Sequence, residues 1–173
     1  MAAKVTGPEP RLVAVFDIDD TILRDRNDRF TLNPAIVNLY NQLISIGVDT
    51  HLVTARANDA VTVKWTSDQL SILGIAPASP GLLGYASLHL APESRRKSMT
   101  DVSQWKMEKR RDIGIRAHAP IVLTVGDQWG DMVVLSEDAD IDALDAAFAP
   151  GKPWKVVRPH DDVSLWGLKL RAF

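Results

Sequence analysis

The chain has 173 residues, of which 46% are apolar and 24% charged, with a formal net charge of −2. That length suits one domain with a sizeable core, and the near-neutral charge excludes a general electrostatic pull towards nucleic acid or anionic lipid. With no cysteine, a disulfide scaffold, a thiolate nucleophile and a cysteine-ligated zinc site are excluded as well.

The opening MAAKVTGPEPRLVAVF has no apolar core of signal-peptide length, and no later run approaches the roughly 20 apolar residues of a membrane span. The chain therefore reads as cytoplasmic. RLVAVF (11–16) is a continuous apolar run expected to form a buried strand. In LNPAIVNLYNQLISIG, Asn33 is expected to cap a helix and Pro34 to open it. Ile36, Leu39, Tyr40, Leu43 and Ile44 form its apolar stripe, and Gly47 stops it. VDTHLVT (48–54) is a second strand. A helix starting near Asn58 is expected to carry Val61, Trp65 and Leu73 roughly on one face and to end at Gly74. The Pro- and Gly-rich stretch that follows holds a possible strand in YASLHL. DVSQWKMEKRRDIGI reads as a helix capped by Asp101 with Gln104 completing a capping box. PIVLTV (120–125) and WKVV (154–157) are further strands, and the tail DDVSLWGLKLRAF reads as an edge strand or a partner contact. Strands alternating with helices imply an α/β domain, with a parallel sheet carrying helices on both faces. No repeat or linker divides residues 1–173.

In such sheets ligands bind beyond the carboxyl ends of the strands. The first strand runs into Asp17 and Asp19, the second into Thr54, Ala55 and Arg56, and the third into GDQWGD with Asp127 and Asp131. Asp17 and Asp19 project to one side of an extended chain, and two carboxylates that close stay ionised only around a cation. Magnesium suits them, with Asp127 as a further ligand. Such a set fits phosphoryl transfer: one carboxylate attacks phosphorus, its neighbour protonates the leaving alcohol, and Thr54 offers a hydroxyl and an N–H to a phosphate oxygen. A lysine would complete the charge balance. Lys97 lies in the solvated-looking ESRRKS, whereas Lys106 shares a helical stripe with Val102 and Ile113 and is the expected partner.

The motifs FDIDDT, LVTAR, WKMEKR and VGDQWGDM, in this order and spacing, resemble those of the haloacid dehalogenase superfamily of phosphatases, nearest to its class B and class C acid phosphatase and vegetative storage protein branch. The resemblance spans about residues 11–135. It implies a Rossmann-like three-layer α/β/α sandwich with a minimal cap or none. Residues 22–33 would form a helical turn and hairpin flap. It also implies Asp17 as nucleophile and Asp19 as general acid/base. A magnesium ion would be held by Asp17, the Asp19 backbone carbonyl and Asp127. Asp131 would stand behind it, ordering a bound water or Lys106. Thr54, Ala55 and Lys106 are expected at the phosphate. Without a cap the site would be open, suiting a phosphate on a protein or nucleic-acid end, or a small substrate enclosed by a partner subunit.

Competing readings are weaker. A receiver-type phospho-acceptor places its phosphorylated Asp after a later strand than its acidic pair. A dehalogenase needs no acid at Asp19, and a phosphotransferase or phosphomutase relies on a cap for selectivity. An idle storage or binding member would be marked by loss of the nucleophile. Asp138, Asp140 and Asp142 alternate as in a calcium loop but lack its glycine and final glutamate. The pairs Arg95/Arg96 and Arg110/Arg111 read as a solvated face that could assist an anionic substrate. His51, His89, His118 and His160 show no ligand spacing and read as structural. The five tryptophans read as packing residues, with Trp129 a candidate for the site mouth.

Overall fold

The structure is a computed structural model that describes residues 12–26, 29–75, 87–146, 154–159 and 163–171. Arg11, most of the Pro- and Gly-rich stretch after Ile75, His160 and the chain's two ends, all named above, lie outside those residues. A six-stranded sheet runs in the order β5-β4-β1-β6-β8-β7. Its strands are β1 (Val13–Phe16), β4 (Asp49–Ala57), β5 (Leu88–Ala91), β6 (Ile121–Gly126), β7 (Trp154–Val157) and β8 (Ser164–Leu170). All neighbours pair in parallel except β7, which runs antiparallel to β8 at the edge. A separate two-stranded hairpin, β2 (Leu23–Arg26) and β3 (Arg29–Leu32), follows β1. The helices are α1 (Pro34–Ser45), α2 (Ala60–Ile72), α3 (Met99–Ala117) and α4 (Ile141–Ala146). The α/β expectation, with a mostly parallel sheet flanked by helices, holds.

The four residues of β1 are all buried because both faces of the sheet are covered, which is why the run is continuous rather than alternating. Successive side chains point to opposite faces. Ala14 and Phe16 pack with Ile36 and Tyr40 of α1 and Leu70 of α2. Val13 and Val15 pack with Trp105, Ile113 and Ala117 of α3. Each large side chain buried this way contributes roughly 1.5–3 kcal/mol. From β1 the chain steps outward through α1 to β4 and through α2 to β5, then α3 carries it back across the sheet to β6. The direction of progression therefore reverses between β1 and β6, and the crevice at their carboxyl ends is where this topology collects ligands.

Several local expectations change. Ser98, not Asp101, caps α3: its Oγ accepts from the Asp101 N–H at 3.0 Å and donates to the Asp101 carboxylate. The helix thus starts a turn earlier, leaving Asp101 in its first turn, where a negative charge is favourable. Gln104 bonds Glu108 instead of a cap. Asp59 caps α2, accepting from Val61 N–H and Thr62 N–H. The buried face of that helix is Thr66 and Leu70, while Val61 and Trp65 are exposed. Asn33 stands at the α1 N-cap but its side chain makes no cap bond. Ile44 of the expected α1 stripe is exposed. The tail strand β8 is interior, with β7 outside it. Among the described residues, no helix is long and apolar enough to cross a membrane.

Candidate metal and phosphate site

Asp17 is the first residue beyond β1, and its N–H donates to the Val125 carbonyl of β6 at 2.9 Å, which fixes the chain as it leaves the sheet. Asp127 follows β6 directly. Beyond it a short 3-10 turn, Trp129–Asp131, folds the carboxylate of Asp131 back over the strand end. That return needs a glycine at 126: a Cβ there would stand 2.1 Å from Asp131 Oδ2 and 2.4 Å from its Cβ. The turn is pinned by the Gln128 N–H donating to Asp131 Oδ2 at 3.0 Å, and Gln128 Nε2 donates to Asp127 Oδ2 at 2.6 Å.

Three carboxylates, Asp17, Asp127 and Asp131, are thereby buried together, with one oxygen from each lying within 4.8 Å of the other two. One face of α3 supplies the cations. Lys106 Nζ donates to Asp17 Oδ1 at 2.7 Å and, closer still, to Asp131 Oδ1. One turn further, Arg110 donates from Nη1 to the Asp131 backbone carbonyl. Arg110 is fully buried and so is no part of a solvated basic patch. One turn before Lys106, Ser103 Oγ accepts the Leu135 N–H at 3.0 Å and ties the following loop to the helix.

Burial, acting first, and the charges of Asp131, Asp19 and Asp127 hold the Asp17 carboxyl well above its usual range, although Lys106 opposes them. Burial followed by Asp131 pushes Asp127 up to about 6. Burial alone would lower the Lys106 ammonium, but Asp131 and Asp17 outweigh it and raise its pKa, so the lysine stays charged. The cluster is thus short of positive charge for three carboxylates. An all-oxygen donor set with that deficit fits a hard divalent cation such as magnesium.

Asp19 stands at the rim, its side chain about half exposed, clasped by a buried Arg56. Arg56 Nη2 donates to Asp19 Oδ1 at 2.6 Å and Nε to Oδ2 at 2.9 Å. The guanidinium is itself fixed by Gln69 Oε1 (2.8 Å) and Thr66 Oγ1 (3.1 Å) of α2, and lies 4.6 Å from the centre of the Trp65 ring. Trp65 in turn meets Phe30 of the hairpin edge-to-face. Thr54, fully buried, receives the Arg56 N–H on its Oγ1 at 3.2 Å and directs its own hydroxyl towards Asp19 at 3.4 Å.

The expected residues therefore gather at one crevice: Asp17, Asp19, Thr54, Lys106, Asp127 and Asp131, with Ala55 on the wall of an adjoining cleft. Asp131 stands in the carboxylate triad itself, and the Asp19 side chain is outside it. Lys97 is exposed on the loop before α3. Trp129 is turned away from the mouth. Its Nε1 donates to Asp145 and its ring packs against Leu135, Ile141 and Leu144. Arg56 is the site residue to which sequence reasoning gave no role. Away from the crevice, His51 and His89 stack on neighbouring strands with Nδ1 and Nε2 3.1 Å apart, and the other nitrogen of His51 meets Asp49 at 3.3 Å. Comparison with protein-family models and with curated proteins finds no match.

Proposed function

We propose that the chain is a magnesium-dependent phosphomonoesterase working through a phosphorylated Asp17. The observation that carries the reading is the buried carboxylate triad with Lys106 in its midst, formed where the sheet order reverses. Magnesium held by Asp17, Asp127 and the Asp19 carbonyl, with Asp131 alongside, would neutralise phosphate charge and draw electrons from phosphorus.

The chain's own groups supply the rest. Lys106 holds one oxygen of Asp17 and leaves the other to attack phosphorus. As the new bond forms, the bond from phosphorus to the alcohol oxygen breaks, and Asp19 delivers a proton to that oxygen. Water then attacks the phosphorylated Asp17, Asp19 takes the proton back, and inorganic phosphate leaves with Asp17 restored. The Arg56 fork keeps Asp19 at the mouth, and about half of the Asp19 side chain stays exposed there. Thr54 and Lys106 are the groups assigned to the non-reacting phosphate oxygens. A cytoplasmic setting, read from the sequence, belongs to the same proposal.

The test is hydrolysis of a generic aryl phosphate by the purified protein, with magnesium and with chelator. Magnesium-dependent turnover that Asp17→Asn abolishes is expected. Turnover that survives this substitution would overturn the assignment.

A further inference from the structure

A cleft of about 430 Å³ opens beside the triad, too large for a phosphate alone and within the roughly 300–1,000 Å³ range of small-molecule pockets. It starts at Lys106 and Asp131 and runs over the first turns of α3 as far as Arg96. Ala55, Met99, Val102 and Leu135 give it apolar walls. The polar side chains that reach it are partly engaged by neighbours, and Arg96 stands exposed at its far rim. Ser103 Oγ donates to the Thr100 carbonyl (2.9 Å) and accepts from Leu135. Ser98 Oγ is used twice by Asp101. Gln128 Nε2 is held by Asp127. Arg96 spends Nε on the Ala55 carbonyl and Nη1 on Glu93, both at 2.8 Å.

A sugar or polyol entering this cleft would give up water from several hydroxyls and find few partners in exchange, which is unfavourable for each group left unpaired. A phenyl or aliphatic group would lose nothing of that kind and would cover Met99, Val102 and Leu135. Resting on the phosphatase reading, we propose that the cleft receives the alcohol portion of the substrate, and that the preferred substrates are small phosphate monoesters of apolar alcohols rather than sugar phosphates. Met99 and Val102 are the specificity-determining residues.

The experiment compares 3-phenylpropyl phosphate with glucose 6-phosphate. Both are esters of primary alcohols, so the phosphoryl chemistry is alike and only the group in the cleft differs. The expected kcat/KM ratio favours the phenylpropyl ester by roughly 10- to 100-fold. Met99→Glu, at a half-exposed position in the first turn of α3, is expected to reduce that ratio about tenfold. Ile72→Glu on the distant, exposed face of α2 should leave it unchanged. Hydrolysis of both esters at equal efficiency, a preference for the sugar phosphate, or a ratio indifferent to Met99→Glu would overturn this inference alone. Failure to hydrolyse either ester or a generic aryl phosphate would overturn the phosphatase reading and this inference with it.

Discussion

Replacing Lys106 by methionine keeps the stem of the side chain and removes only its charge. The ammonium is almost fully buried, 2.7 Å from Asp17 Oδ1 and closer to Asp131 Oδ1. At an effective dielectric of about 20, one such contact is worth about 6 kcal/mol of attraction, and the desolvation of both partners cancels much of it. What the substitution exposes is the other side of that balance: two buried carboxylates left without their cation, a loss of about 3–5 kcal/mol. For a domain whose total stability is about 5–15 kcal/mol this is a large fraction. With a urea slope of about 2 kcal/mol per molar, the unfolding midpoint should fall by about 2 M. The assay is urea unfolding in chelator, at pH 7.5 and at pH 4.5. Because Lys106 has its pKa raised above 10.5, the lysine itself stays charged throughout this range and would lose its proton only at pH above it. Asp17, raised by burial, takes up a proton as pH falls, so the deficit of the variant should narrow at pH 4.5. Adding Asp131→Asn to Lys106→Met should recover part of the loss. A variant as stable as the wild type at pH 7.5, or an exactly additive double variant, would refute the reasoning.

Gly126→Ala should displace the Asp131 carboxylate, since the added carbon would lie 2.1 Å from it; a loss of about 1–3 kcal/mol in urea unfolding is expected, the usual range for overpacked buried sites, together with weakened magnesium binding by calorimetry. Asp127 has its pKa pushed from 3.8 to about 6, so the folded state binds this proton more tightly than the unfolded one. Its ionisation therefore costs stability as pH rises from 3.8 towards 6, about 3 kcal/mol in all. Magnesium competes with that proton, and its effect on thermal midpoint should be larger at pH 7.5 than at pH 5 and shrink in Asp127→Asn. His89 is driven in the opposite sense, down to about 3, first by burial and then by its neighbour His51. The stability this represents is present above pH 6.5 and is lost as pH falls towards 3, at up to about 1.4 kcal/mol per pH unit. His89→Gln should flatten the acid limb of a stability–pH curve.

What could be read in the sequence was what period and strand ends encode. The unbroken apolar run before Asp17 belongs to a strand covered on both faces, and the polar residues that follow β1, β4 and β6 meet because parallel strands present their carboxyl ends on one edge. Lys106 was legible because a charge on an apolar stripe needs a buried partner. Arg56 was not. An arginine after a strand is ordinary, and its importance comes from Thr66 and Gln69, a helix away. The α3 cap was placed at Asp101, whereas the helix starts at Met99 and so is capped by Ser98, a start that no local pattern around Asp101 specifies. Trp65 shares one helical face with Val61 and Leu73 by its spacing, and it is exposed on that face, its ring packed on Arg56 and Phe30. The His51–His89 contact depends on the register of two parallel strands separated by a helix, which no local pattern specifies. The same holds for β8, whose interior place follows from β7 closing the edge.

The central claim is that Asp17 becomes phosphorylated. The direct measurement is rapid acid quench of the magnesium-loaded protein during turnover of an aryl phosphate, followed by mass spectrometry of its peptides. One phosphoryl group on the peptide carrying Asp17, absent from Asp17→Asn and removed by treatment with hydroxylamine, is the predicted result. Steady turnover with the phosphoryl group on another residue would contradict the account.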